Sequence, residues 1–298
     1  MRRSWAGWVF ALGIGSALGA AAYVVGGTHR IELRQTTVPG TGVSLGLPEG
    51  VTASPLGPTF VNADASILVA VSTGPAANSP ANSEVFKRLF PASAESFHTA
   101  TLEGTLRHRT RKSDGGGWDG WWLIVVRGDR MLQIQISYQG KDEKSFGELK
   151  QILDTVSWDE HTLDPEAAFG LKINPPGLQL VPGATGALAY SADGRPGTSE
   201  PNLYLSAIPI RSKGDPETFH RLCEKTAPLA FKGALPAPLQ YVRANGLSLC
   251  DTWGGPGLTG SDYFAAIEFP DGAVVTTWGR GEPQSLRQSL LDVRRISR

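Results

Sequence analysis

Two cysteines, five histidines and one dense basic run are the residues of this sequence best placed to do chemistry. Cys223 in "FHRLCEK" and Cys250 in "LSLCDTW" lie 27 positions apart. Outside the cytoplasm an even pair of cysteines invites a disulfide; two buried free thiols are the competing reading. In the chain-entropy description, closing that loop contributes roughly 3–4 kcal/mol. His220 stands three residues before Cys223, but no second ligand pair follows at zinc-like spacing, so neither a metal nor a cofactor is expected. The basic run is "RHRTRK". On a strand, Arg107, Arg109 and Arg111 share one face and His108 takes the other. Such a stripe suits an anionic contact with lipid headgroups, a polyanionic wall polymer or an acidic partner. It equally suits an edge strand guarded by charge against aggregation.

Trp118 follows three glycines in "SDGGGWDGWW", where it can anchor a partner or pack over a sheet edge. The glycine-rich stretches lack the lysine and following helix of a phosphate cradle. No G-x-S-x-G elbow and no H-E-x-x-H is written anywhere, and the histidines are scattered. These absences point away from an enzyme.

The elements that would hold these residues are written twice. "NSEVFKRL" (82–89) recurs as "DPETFHRL" (215–222), with Glu84, Phe86, Arg88 and Leu89 matched by Glu217, Phe219, Arg221 and Leu222. Both octamers read as helix starts: Asn82 or Ser83 caps the first, and Asp215 followed by Pro216 opens the second. A strand precedes each helix, "SILVAVS" and "NLYLSAI", and an earlier strand ends at proline in "GVSLGLPEG" and "FGLKINPPG". Downstream, aligning Gly104 with Gly246 at a constant offset carries Trp121–Trp122 onto Tyr263–Phe264 and Asp129 onto Asp271. The same offset sets Asp119 against Ser261 and Arg109 against Asp251, so no carboxylate pair recurs. Each half closes on a helix, at Ile152–Leu153–Asp154 and Leu290–Leu291–Asp292. The pattern is strand, strand, helix, three antiparallel strands, helix, with "KGALPAPLQYVRANG" as extra loop in the second half. It predicts an α+β fold of two tandem α/β/α-type domains, each a mainly antiparallel sheet flanked by helices.

With 298 residues the chain is long enough for two such cores, and Lys plus Arg equals Asp plus Glu at 28 each. That balance gives no basic footprint for nucleic acid. The N-terminus reads "MRRSWAGWVFALGIGSALGAAAYVVGG". Arg2 and Arg3 precede an apolar run from Trp5 to Val25, whose helical length nearly matches a hydrocarbon core of about 30 Å. Positive charge ahead of the run sends the rest of the chain out of the cytoplasm. An apolar N-terminal helix kept as an anchor and a signal peptide cleaved near Ala20–Ala22 both stay open. The expected organisation is therefore a signal or anchor over 1–30 and domains over 36–159 and 164–298.

The order of elements resembles the Mog1/PsbP-like superfamily, with its DcrB-type and LpqN-type exported bacterial members. The resemblance is carried by "SLGLPEG", the capped helix "DPETFHRL", the glycine-led strand "RANGLSLCD" and the closing helix of "QILDTVSW", once per half. It implies a non-enzymatic binding or assembly module of the bacterial cell envelope. The protein would sit in the inner membrane facing the periplasm, or be periplasmic or secreted after cleavage. Its partners would be the membrane, through the N-terminal segment, and an envelope protein. The alternative is a small-ligand or lipid carrier with an apolar cleft between helix and sheet, or between the domains.

Overall fold

The computed structural model describes residues 31–76, 94–109, 119–139, 143–195, 202–208, 215–231, 235–254 and 261–296. The N-terminal apolar segment and the helix expected at 82–89 lie outside the described residues, as do Arg111 and Trp118. No helix among the described residues is long and apolar enough to cross a membrane. The described chain divides into two compact units, one reaching Ser54 and resuming at Pro58–Asp164, the other running from Pro165 onward and including Pro55–Gly57.

In the first unit, β1 (Leu33–Val38) and β2 (Val43–Pro48) pair antiparallel, and β10 (Ser157–Trp158) covers the other edge of β2. The main sheet is built from β3 (Thr52–Ala53), β4 (Thr59–Val61), β5 (Ile67–Pro75), β6 (Glu95–His98), β7 (Glu103–Arg109), β8 (Asp119–Arg127) and β9 (Arg130–Tyr138). Their order is β3-β4-β5-β9-β8-β7-β6, antiparallel throughout. Alternation explains the central strand β9: Leu132, Ile134 and Ile136 point into the core, while Gln135 and Ser137 take the opposite face. Two short helices, α1 (Glu143–Leu149) and α2 (Gln151–Asp154), close that core with Phe146, Leu149, Ile152 and Leu153.

The second unit opens on α3 (Pro165–Phe169). There β11 (Leu171–Lys172) pairs with β19 (Arg294–Arg295). Its main sheet contains β12 (Gln179–Leu180), β13 (Leu188–Ser191), β14 (Asn202–Ile208), β15 (Gln240–Ala244), β16 (Leu247–Gly254), β17 (Ser261–Glu268) and β18 (Val274–Gly281). The order β12-β13-β14-β18-β17-β16-β15 repeats that of the first sheet strand for strand. Helix α4 (Pro216–Ala230) packs Phe219, Cys223 and Ala227 on one face, against Cys250, Phe264 and Val274. Helix α5 (Pro283–Leu291) brings Leu286 and Leu290 to the other face, beside Leu249, Ala265 and Ile267. Both helices start on a carboxylate followed by proline: Asp215 accepts from the Glu217 and Thr218 amides, and Glu282 from those of Gln284 and Ser285.

The molecule is two sheet-rich units, and it departs from the expected pattern in three ways. Each main sheet has seven strands; in the second unit the prolines of "KGALPAPLQYVRANG" stop short of β15 and leave Gln240–Ala244 free to pair with β16. The proline-ended strands β2 and β11 do not join the main sheets; they pair with the C-terminal strand of their own unit. Finally, the repeat slips. Trp122 faces Arg107 across the ladder, whereas Phe264 faces Thr252, so Asp251 stands at the place of Leu106 rather than Arg109. The cause is the connection that follows. Arg109 pairs with Gly120 and Gly254 with Asp262, so the link from β16 to β17 is three residues shorter than that from β7 to β8, while the hairpins closed by His98–Glu103 and Arg243–Ser248 are equal in length. Gly104 is consequently a strand residue at the place of Leu249, not a counterpart of Gly246. The closing helices shift as well: Ser157 and Arg294 hold the same place in the small sheets, so counting back sets Leu153 against Leu290.

Candidate functional site

The slip puts a charge where the first unit has a hydrocarbon. Across three strands of the first sheet, Leu106, Leu123 and Ile134 form one buried row. The matching row of the second sheet is Asp251, Ala265 and Thr277, also buried. Replacing three large aliphatic groups by smaller or polar ones opens space beneath α5, and two side chains enter it. Arg287 comes down from α5, its Nε donating to Asp251 Oδ2 and its Nη2 to Asp251 Oδ1, both at 2.7 Å. Tyr263, at the place of Trp121, donates its hydroxyl to Asp251 Oδ2 at 2.9 Å. Arg287 Nη2 also donates to Gln240 Oε1 at 2.7 Å, and its guanidinium lies 5.0 Å from the Trp253 ring centre.

A buried carboxylate is tolerated only when its lone pairs are occupied by charged or polar donors. Here three donors occupy them. Burial, and then the charge of Asp251, hold the Tyr263 phenol well above its usual range. The hydrogen bonds to Asp251 push the Arg287 guanidinium above its ordinary value despite partial burial. Neither group changes its proton near neutral pH, so the network acts as a fixed clamp between helix and sheet rather than as an acid–base pair. Sequence reasoning missed it through the assumed constant offset. The signal was present: Leu247, Leu249 and Asp251 alternate onto one buried face, and an acid continuing an apolar alternation asks for a cation.

The other residues singled out from sequence do not gather at this clamp. Cys223 on α4 and Cys250 on β16 are joined by a disulfide, with Cα atoms 6.5 Å apart, on the opposite face of the sheet. Because Cys223 is bonded and His220 packs its ring 4.1 Å from that of Tyr241, their H-x-x-C spacing holds no metal. Arg107 and Arg109 lie on β7 beyond the last residue paired to β6, where β8 is the one strand paired to β7 among the described residues. His108 faces the core side, with its ring 5.2 Å from that of Trp121.

A cleft of about 850 Å3 runs along the outer side of α5 in the second unit, lined by Lys172, Asn174, Gln288, Asp292 and Arg294 among others. Its lining mixes charge, amide and aliphatic groups and contains no tryptophan.

No protein family matches this sequence, and no curated protein matches it either. Among solved structures, a conserved hot dog fold protein of unknown function from Alicyclobacillus acidocaldarius overlaps 84% of this chain and 96% of its own. The identity is 10% and the TM-score 0.17.

Proposed function

We propose that this is an exported, membrane-anchored, non-enzymatic binding or assembly module of a bacterial cell envelope, built from two tandem Mog1/PsbP-like domains. The observation that carries the export half is the Cys223–Cys250 disulfide, which ties α4 to β16 inside a buried cluster. Cross-links of this kind persist in oxidising compartments and are rare where glutathione and thioredoxin act. The apolar run after Arg2 and Arg3 supplies the route. Support for the domain reading comes from the repeated strand order and from the helices α4 and α5 on opposite faces of the second sheet, an α/β/α layering. The saturated Asp251–Arg287–Tyr263 clamp suits a scaffold that presents surfaces better than one that turns over substrate.

Fractionation of cells expressing the full chain tests the address. The protein should partition with the membrane, and Cys223 and Cys250 should resist alkylation until a reductant is added. A full-length pool in the cytoplasm with both thiols alkylated at once would overturn the reading.

A further inference from the structure

The cleft beside α5 marks a place where the two units differ by one strand. In the first unit β2 has a neighbour on each edge, β10 on one side and β1 on the other. Strand β1 pairs along all of β2, from Leu33 opposite Pro48 to Val38 opposite Val43. It also reaches the closing helices: the Ile31 amide donates to Gln151 Oε1. In the second unit β11 has β19 on one edge, and among the described residues no strand pairs with the other. Counting from the matched pairs Ser44–Ser157 and Lys172–Arg294, Gln151 corresponds to Gln288 and Thr155 to Asp292. Those residues line the cleft together with Lys172, Asn174 and Arg294. The cleft is therefore the room that β1 fills in the sister unit.

We infer that this cleft is a strand-addition site, in which an extended acidic segment of a partner protein pairs antiparallel with the open edge of β11. Backbone pairing of this kind supplies affinity, and alternate side chains supply selectivity. Two observations fix the occupant. In the first unit the small-sheet pair is Ser44 opposite Ser157, and Thr37 Oγ1 of β1 lies 3.0 Å from Ser44 Oγ. In the second unit the same pair is Lys172 opposite Arg294, two cations directly across a ladder, which repel. Lys172 has a partial counterion in Glu166 at 3.7 Å, while Arg294 has no ion-pair partner among the described residues. Asp292 is held by Gln288 Nε2 at 3.0 Å. A carboxylate on the incoming strand at the position of Thr37 would meet both cations.

The second observation excludes a copy of β1 itself. A Cβ added at Gly46 would lie 2.9 Å from the Leu33 Cβ and 3.0 Å from Thr155 Oγ1. The corresponding residue of the second unit is Asn174, which has that Cβ. A strand seated here needs a small residue where β1 has Leu33, so the β1 of another copy of this chain is a poor fit. The occupant is a different polypeptide.

This inference rests on the binding-module reading and supplies its partner chemistry. The probe is a synthetic peptide with the sequence of residues 31–38 carrying Leu33→Gly and Thr37→Glu, titrated into the detergent-solubilised full chain by fluorescence anisotropy. It should bind saturably and protect the amides of residues 171–174 from hydrogen exchange. A peptide carrying Thr37→Lys instead should bind about tenfold more weakly, as should the first peptide against Arg294→Glu or Lys172→Glu chains. Absent binding, equal binding of both peptides, protection elsewhere, or equal competition by free glutamate would each overturn the site. The two readings also fail separately. If wild-type and Arg294→Glu chains cross-link to the same envelope partner in cells, the module stands and the strand site falls.

Discussion

Arg287 and Asp251 meet edge to edge through two parallel hydrogen bonds, with the carboxylate wholly buried and the guanidinium 23% exposed. The sister unit keeps only half of this relationship. Counting back from Ser157 and Arg294 places Lys150 where Arg287 stands, and strand pairing places Glu95 where Gln240 stands. Lys150 Nζ sits 3.4 Å from Glu95 Oε2 and 4.9 Å from the Trp121 ring centre, out on the rim. A cation on the closing helix thus belongs to both units. Only in the second does an acid replace Leu106 and draw it inward.

Removing the acid alone should be damaging. Asp251→Asn leaves a partly buried guanidinium without its counter-charge, at a cost of about 3 kcal/mol. The double change Asp251→Leu with Arg287→Met rebuilds the hydrocarbon contact of the sister unit, and should return to within about 1 kcal/mol of the natural chain. Urea titration of all three proteins checks this. Equal losses in the single and the double variant would show that the ion pair is not what the site depends on.

The rim pair of the first unit should matter far less. The side chains of Lys150 and Glu95 are 39% and 51% exposed, and solvent screens such pairs. Lys150→Met is expected to shift the urea midpoint by the equivalent of no more than about 0.5 kcal/mol. A loss comparable to that of Asp251→Asn would mean the two units use their helix cations alike.

Local periodicity made the strands legible: "NLYLSAI" has the bounds of β14, and the alternation of Leu132, Ile134 and Ile136 announced a sheet with an apolar face. The cap at Asp215–Pro216 was equally plain, because its donors lie within three residues. What sequence hid was register. A connection three residues shorter between β16 and β17 than between β7 and β8 moves the strands against each other, yet leaves the residues of each strand looking as alignable as before. A matched glycine therefore drew Gly104 onto Gly246 and Arg109 onto Asp251. Partner strands far along the chain were hidden too: nothing near Val43 or Leu171 says that its neighbour is Trp158 or Arg295.

The disulfide holds α4 on the face opposite the clamp. Replacing Cys223 and Cys250 by alanine opens a 27-residue loop and should lower stability by roughly 3.5 kcal/mol in the chain-entropy description. Thermal unfolding with and without reductant should show the natural chain falling to the level of the double variant, and the variant unmoved. If reductant destabilises both alike, or neither, the cross-link is not the source of the difference.

The two capping carboxylates make stability sensitive to acid. Hydrogen bonds from the Ser285 and Gln284 amides hold the Glu282 carboxyl below its ordinary value of 4.5. For a group depressed by folding, the stabilisation is complete above the unfolded value and disappears as pH falls through the lower folded one. Asp215 is shifted in the same direction, first by Thr218 and then by the Glu217 amide. Comparison of the natural chain with Glu282→Gln isolates one cap. Glu282 is almost fully exposed, so screening limits its contribution, and the neutral-pH gap should be about 0.5–1 kcal/mol. As pH is lowered from 7 toward about 2, the two stability curves should converge, since protonation turns the carboxylate into a neutral acceptor much like the amide. A gap that stays constant over that range would mean that the charge of Glu282 contributes nothing and that its geometry alone caps α5.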